Sequence, residues 1–525
     1  MRETFRATLV LVIVLFFGAA EFCSGRNTSF SCIERERKAL LKFKLCFHDP
    51  SHMLSSWKGN DCCEWRGVSC DKNSRYVVSL QLKGSTADQP YWYSIGDQQP
   101  QLYLIDDIDE IVSSLLKLRY LEHLDMSNNN FSGNLIPPSF GLMKQLRYLN
   151  LSYAQFRGRI PSELGNLTRL CVLDLSQYYY GRLKVDGDIQ WISRLSSLQR
   201  LDMSGVNLSH ASSNLFQVLS MLSSLSWLSL SDCNLKISHL PSHNHLFNFT
   251  LLGNIQHFDI SQNSFHGPIP IFLQNMTSLT FLDMSGVNLS LTSSNLFQVL
   301  GMLPSLSWLS LSTCSLNNCH LPSYNHPFNF TLLGNIQHLD LSDNLFQGPM
   351  PIFLQNMTSL IVLSLASNQL SGSISNSIWQ LSKLESIDLS YNQLNESIPN
   401  SIGQLSKLKS INLYANQLSG SIPDSIGQLS KLKSIHLSYN QLNGSIPDSI
   451  GQLSKLESMD LSYNQLNGSI PDSIGQLSKL KSMDLYENQL SIPDSIGQLS
   501  KLESMDFSGN QLRRVFQIAS GNFLS

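Results

Sequence analysis

Three histidines each stand two residues ahead of an aspartate: His123 before Asp125, His257 before Asp259, and His338 before Asp340. In an extended strand, residues two apart share a face, so these six groups form three small His–Asp pairs. Such a pair could begin a proton relay or supply two ligands to a metal. It is equally the look of an outward polar column, because Leu-Asp-Leu-Ser recurs at 173–176 with no histidine before it. The chain holds no Gly-x-x-x-x-Gly-Lys-[Ser/Thr] loop, no kinase motif set and no Gly-x-Ser-x-Gly elbow. Binding rather than catalysis is the expectation, with no cofactor and no metal.

The elements that hold these residues come from an internal period. From Gln380 to Asn510 the chain nearly repeats itself, one copy reading IGQLSKLKSIHLSYNQLNGSIPDS from Ile426. An asparagine recurs at Asn344, Asn368, Asn392, Asn416, Asn440, Asn464 and Asn488, every 24 residues, and again at Asn510 after 22. This is the leucine-rich-repeat pattern L-x-x-L-x-L-x-x-N-x-L with an added x-G-x-I-P. Within it Ile435 and Leu437 point inward, while Ser434, His436 and Ser438 point out. One unit cannot bury its apolar side, so copies must stack their strands into a parallel sheet over a shared core. The asparagine amide offers a donor and an acceptor to backbone groups of adjacent turns.

Earlier units are less regular, with the asparagine slot at Asn129, Ala154, Tyr178, Val206, Cys233, Asn263, Val287 and Cys314. Cysteine is an accepted variant there, so Cys233 and Cys314 are expected as buried thiols. About 17 repeats are expected over residues 76–512, a sheet of roughly 80 Å at ordinary strand spacing. Residues 202–279 align without gaps to 283–360, so a three-repeat block was copied whole. Residues 85–109 read as a surface excursion whose Trp92 and Tyr93 either touch a partner or pack on the solenoid edge. One late repeat reads ENQLSIPDS and lacks the Asn-Gly pair of its siblings. Either its turn tightens and the Ile-Pro segment loses register, or the next unit shifts. Residues 513–525 form a tail with no cap.

Stacking the strands lines up their first outward residues. This column reads His123, Tyr148, Val172, Arg200, Trp227, His257, Phe281, Trp308, His338 and Val362, then turns to serine from Ser386 to Ser504. Large aromatic and basic groups are what interface hot spots use, whereas serine supplies little desolvation energy. The candidate ligand-binding residues are therefore His123, Tyr148, Arg200, Trp227, His257, Phe281, Trp308 and His338, with the later half a spacer. The alternative is that the two tryptophans merely cover the sheet and were duplicated together.

Charged residues are only 14% of the chain and the net charge is -3, so no nucleic-acid footprint is visible. Arg2 and Arg6, the apolar run Leu9 to Phe17 and the small residues Gly18 to Ala20 read as a signal peptide over 1–25. No other stretch reaches membrane-spanning length, so no membrane span is expected in the chain as written. Export also suits its Asn-x-[Ser/Thr] sites at Asn27, Asn130, Asn166, Asn207, Asn248, Asn275, Asn288, Asn329, Asn356, Asn395, Asn443 and Asn467. A thirteenth, Asn150, lies on the strand face itself, where a glycan would block part of the candidate site. Among ten cysteines, Cys32, Cys62, Cys63 and Cys70 cluster in residues 26–75, ahead of the repeats. There Glu34 to Lys44 reads as an amphipathic helix with Ala39, Leu40 and Phe43 on its apolar side.

Cys32-IERERKALLKFK, Asp49-Pro50, Leu54-SSW and Asp61-CCEWRGVSC resemble the N-terminal cap of plant leucine-rich-repeat receptors and polygalacturonase-inhibiting proteins. The block NLFQVLSMLSSLSWLSLSDCNL and its copy resemble receptor-like proteins of the branch that includes receptors for a fungal xylanase. The resemblance implies an α/β repeat solenoid, a plant-type horseshoe or superhelix with a parallel sheet on its concave face. It also implies cap disulfides Cys32–Cys62 and Cys63–Cys70, leaving Cys46 a buried thiol. The implied function is an ectodomain perceiving a microbial or self-derived protein or peptide in defence or development, signalling through co-receptor kinases. Such a protein faces the extracellular space, secreted or at the plasma membrane. Alternatives are a soluble inhibitor of cell-wall-degrading enzymes, or a truncated copy without function, since the family's island, C-terminal cap and membrane helix have no counterpart here.

Overall fold

A computed structural model describes residues 32–84, 102–177, 182–211, 214–236, 239, 252–265, 271–292, 296–321, 333–491 and 493–510. In each repeat one apolar residue sits between two outward ones, and the three form a short strand. The middle side chain is buried completely at Leu124, Leu228, Ile411 and Ile435. Among the described residues, seventeen such strands pair in parallel and in register, from Val77–Gln81 to Ser504–Asp506. Short 3-10 segments such as Asp424–Gln428 and Asp448–Gln452 return the chain behind the sheet and stack on one another. In each copy of the duplicated block one return is instead a six-residue α-helix, at Leu215–Ser220 and Leu296–Gly301. The result is an α/β solenoid with a parallel sheet along one side.

Two backbone features make each unit turn. The residue before the slot adopts a positive φ, as at Ser367 (54°), Tyr439 (55°) and Glu487 (52°), with glycine there at Gly205 and Gly286. The slot asparagine then ties three carbonyls and one amide together. Asn440 donates from Nδ2 to the carbonyls of Leu413 (2.9 Å), Leu437 (3.0 Å) and Ser438 (3.2 Å), and its Oδ1 accepts from Leu418 N–H at 2.9 Å. The cysteine variants keep only the donor half: Cys233 Sγ and Cys314 Sγ donate to Met203 and Met284 carbonyls, both at 3.2 Å. Both are buried thiols, as expected, and burial pushes Cys314 up to about 12.

At the N-terminal end the helix Glu34–Leu45 buries Ala39, Leu40 and Phe43 against the core, with Trp57 stacked on Trp65 at 5.5 Å. Disulfides join Cys32 to Cys62 and Cys63 to Cys70, and Cys46 is a buried free thiol. One charged residue departs from the amphipathic reading. Glu36 is fully buried, and its Oε2 accepts the Val77 N–H at 2.7 Å, which pins the cap to the first strand. Burial raises its pKa above the ordinary carboxylate range.

Two other expectations are corrected. Residues 102–109 are not a surface excursion: Leu102, Leu104 and Ile108 are buried, and Tyr103–Leu104 pairs antiparallel with Phe47–His48. The helix Ile108–Leu115 then packs on the cap helix, because a first repeat with apolar residues at Ile111, Val112 and Leu115 must cover the cap's open side. Trp92 and Tyr93 lie outside the described residues. In the shortened repeat the next unit does not shift and the ladder ahead of the Ile-Pro segment keeps its register, while Ile492 lies outside the described residues. Gln489–Ser491 keeps its ladder with Gln465–Ser469, Asn510 Oδ1 still accepts from Leu490 N–H at 2.9 Å, and Ser504 pairs with Ser482. The next 3-10 segment, Asp494–Gln498, follows as in the sibling repeats.

Candidate ligand-binding face

Parallel pairing places each first outward residue directly beside its counterpart: Arg200 beside Trp227, Trp227 beside His257, His257 beside Phe281, Phe281 beside Trp308, Trp308 beside His338. At this spacing planar side chains can satisfy one another only face to face. The centroids of Trp227 and His257 are 4.3 Å apart, those of His257 and Phe281 4.0 Å, Phe281 and Trp308 5.5 Å, and Trp308 and His338 4.3 Å, all stacked. Arg200 closes one end, its Cζ 3.7 Å from the Trp227 ring centroid. Six candidate residues thus form one continuous ladder over six strands. His123 and Tyr148 stack separately at 4.0 Å, because Val172 interrupts the run.

Stacking fixes what the ladder shows to solvent. The ring faces are occupied by neighbouring rings, so the edges, which carry the positive part of the quadrupole, are what the ladder presents. Trp308 is the most open member at 40% exposure. Burial lowers the pKa of His123 and His338 and takes His257 down to about 4, so the His257 imidazole is neutral at physiological pH.

The second outward column is largely acidic, and its chemistry is local. One oxygen of most of these aspartates is spent on the serine two residues on: Ser204 Oγ donates to Asp202 Oδ1 at 2.7 Å, and Ser261 Oγ to Asp259 Oδ1 at 2.7 Å. The Asp-Leu-Ser pattern is therefore a turn device at the strand end. Burial raises Asp174 and, with the nearby Asp174 charge, pushes Asp202 up to about 7. The histidine-aspartate pairs thus divide into a stacked ring and a turn-forming carboxylate. Elsewhere, three cysteine sulfurs within 4.8 Å of one another, Cys32, Cys62 and Cys63, are consumed by the two disulfides.

Sequence reasoning missed a second aromatic run. In the serine-faced half, Tyr391, Tyr414, Tyr439, Tyr463 and Tyr486 follow one another along the sheet edge with centroids 5.0, 5.2, 4.1 and 4.9 Å apart. The signal was present as tyrosine one or two positions before each slot asparagine, but the shift between the two positions hid the column. Asn150 is buried, with Oδ1 accepting from Ser152 N–H at 2.9 Å and Nδ2 donating to Tyr148 Oη at 3.3 Å, so the folded face has no room for a glycan there. By contrast Asn166, Asn288, Asn395, Asn443 and Asn467 are exposed, and Asn130, Asn207, Asn275 and Asn356 are partly so. Asn27, Asn248 and Asn329 lie outside the described residues.

A leucine-rich-repeat N-terminal domain matches residues 33–71, a leucine-rich-repeat region matches 102–351, and leucine-rich repeats match 334–394 and 406–466. The chain belongs to the leucine-rich-repeat proteins, and the relatives it matches are plant receptor-like proteins. This receptor-like chain is 35% identical to receptor-like protein EIX1 of Solanum lycopersicum over 53% of its own length and 26% of that protein's. It is 35% identical to EIX2 of the same species over 60% of its length and 34% of that protein's. Receptor-like protein 6 of Arabidopsis thaliana is 31% identical over 56% and 30%. The chain therefore spans a third or less of these relatives, to within a per cent. Among solved structures it is similar to the Leptospira interrogans leucine-rich-repeat protein LIC12759, with TM-score 0.59, 26% identity, and coverage of 77% and 93%. The Arabidopsis receptor kinase HAESA, in complex with the peptide hormone IDA and the co-receptor SERK1, gives TM-score 0.52 at 27% identity over 91% and 86%. No helix among the described residues of the receptor-like chain is long and apolar enough to cross a membrane.

Proposed function

We propose that this chain is an extracellular recognition module that binds a protein or peptide along the ladder from Arg200 to His338. The continuous edge-on stack carries the reading. A sugar would need free ring faces to lie on, and these faces are filled; ring edges instead suit the carbonyls and side chains of an extended peptide. Neutral His257 adds a polar edge without the cost of burying a charge under a ligand. The family relation supports a receptor-like role in defence or development, and the HAESA complex, with its peptide and co-receptor, is a precedent for peptide capture on this fold and for a co-receptor.

The test is photo-crosslinking on the full secreted chain. A benzophenone side chain at the Trp308 position should capture a defined peptide or protein from a plant-secretion or microbial-filtrate panel. The same probe at Ser434 should capture nothing, and Trp227→Ala should abolish capture at 308. Capture at 434 alone would overturn the assignment. Capture of a cell-wall-degrading enzyme would favour the inhibitor reading instead.

A further inference from the structure

In the later repeats a lysine stands three residues ahead of every strand: Lys383, Lys407, Lys431, Lys455, Lys479 and Lys501. The strands they precede pair in register, Ser386 with Ser410, Ser410 with Ser434, and on to Ser504. All six lysines are exposed. They form one row at the strand spacing of about 4.8 Å, closer than the screening length of about 8 Å at physiological salt, so their potentials add.

Neighbouring groups offset this row only in part, chiefly through Glu385, whose carboxylate is held down by Lys409 and also by Lys431 and Lys407. The adjacent positions hold Glu385, Lys409, Lys433, Glu457, Lys481 and Glu503, in which Glu385 pairs with Lys409 at 2.6 Å and Lys433 with Glu457 at 3.6 Å. None of Lys407, Lys431, Lys455, Lys479 or Lys501 forms an ion pair among the described residues. Nine lysines face three glutamates, in a chain whose overall charge is -3. The exposed Asp424, Asp448 and Asp472 begin the 3-10 segments that the lysines follow. A 3-10 rise of about 2 Å per residue puts them on the order of 10 Å away, beyond that screening length. In the first repeats the same position is Tyr120, Gln145 and Arg169, and in the next seven it is Ser197, Ser224, Asn254, Ser278, Ser305, Asn335 and Ser359, so the unbroken row begins at Lys383. In these repeats the row's edge also carries no Asn-x-[Ser/Thr] site: Asn395, Asn443 and Asn467 follow the slot asparagines, on the other side of the strand.

We infer that this lysine row is a second binding site, separate from the aromatic ladder, for a linear acidic polysaccharide carrying one carboxylate per sugar ring. A row of single point charges repeating once per rung matches a polymer whose charge repeats once per monomer. Nucleic acid fits less well, because recognition of phosphate and bases uses planar arginine forks and interleaved aromatic rings, and this edge holds neither. A bilayer would need a broad cationic plane with apolar side chains to insert, whereas the exposed Tyr391, Tyr439 and Tyr463 lie at the far end of each strand.

The test measures binding of the full chain to a galacturonic acid 12-mer, to its methyl ester, and to single-stranded DNA of equal charge. The acid should bind with a strong salt dependence, and the ester at least tenfold more weakly. Replacing Lys431, Lys455 and Lys479 together by Gln should cost at least tenfold and reduce the slope of log affinity against log salt by about 2, at about 0.7 per lost charge. The same three as Arg should retain binding, and Lys58→Gln with Lys144→Gln should leave it unchanged; all variants should keep the parent melting temperature. Equal binding of acid and ester, or no loss in the Gln variant, would overturn the site. DNA binding as tight as the acid would overturn the choice of ligand.

Discussion

The Arg200 guanidinium lies over the Trp227 ring, Cζ to centroid 3.7 Å, while its Nη2 reaches toward Asp202 Oδ2 at 3.7 Å. One side chain thereby terminates the aromatic ladder and meets the acidic column beside it. Truncating either member should therefore be felt along the stack. Trp227→Ala or Trp308→Ala should weaken a true partner by at least about 2 kcal/mol, as hot-spot aromatics do. Ser434→Ala and Ser458→Ala should leave calorimetric affinity unchanged; sensitive serines with silent tryptophans would move the site elsewhere.

The acidic column predicts a pH signature. The folded chain holds a proton on the Asp174–Asp202 pair between the ordinary aspartate range and about 7, which the unfolded chain has already lost. Folding is thus favoured at the low end of that window, and this contribution is lost as pH rises through it. His257 acts oppositely, because the unfolded imidazole takes up a proton below about 6.5 that the folded one refuses down to about 4. The wild-type melting temperature is expected to be nearly flat from pH 4.5 to 6. Asp202→Asn should gain stability relative to wild type as pH rises from 4 to 7, and an offset independent of pH would refute the assignment.

Removing a slot amide should be costly inside the regular stack. Asn416 donates to Leu389, Leu413 and Tyr414 carbonyls at 3.0, 3.2 and 3.3 Å and accepts from Leu394 N–H at 3.1 Å. Asn416→Ala leaves buried backbone groups unpaired and should lose about 2–4 kcal/mol in urea unfolding. A loss below about 1 kcal/mol would mean that water or backbone replaces the amide.

The cap should behave as a stapled end. Cys63→Ser breaks the bridge to Cys70 and should cost about 2–5 kcal/mol or prevent secretion. Normal secretion and an unchanged melting curve would show that the cap is held by Glu36 and its apolar helix alone.

Protection from hydrogen exchange should fall toward the last rungs. The inward residue of the final strand, Met505, is 48% exposed, whereas Met459 and Met483 at the same position are each at 1%. Amides beyond about Leu485 should exchange first, while those from Leu363 to Leu461 stay protected. Uniform protection through Asn510 would indicate that a partner or a further segment covers this end.

The period by itself determined the fold here. A fixed spacing of Leu, Ile and Asn leaves stacking as the one way to bury each unit's apolar side, and strand alternation then assigns His123 through His338 to one outward column. The cap cysteines were legible for a related reason, because their cluster sits where a repeat core must be closed. Tertiary structure decided what depends on contacts between rungs. Only in-register pairing reveals that Trp227, His257, Phe281 and Trp308 spend their faces on one another and offer edges. Only packing shows Glu36 inside the cap and Leu102 to Ile108 folded onto it, since a local pattern cannot tell which neighbour will cover a charged or inserted residue. The tyrosine run and the lysine row were likewise present as letters, but their meaning depends on spacing across strands, which the fold alone supplies.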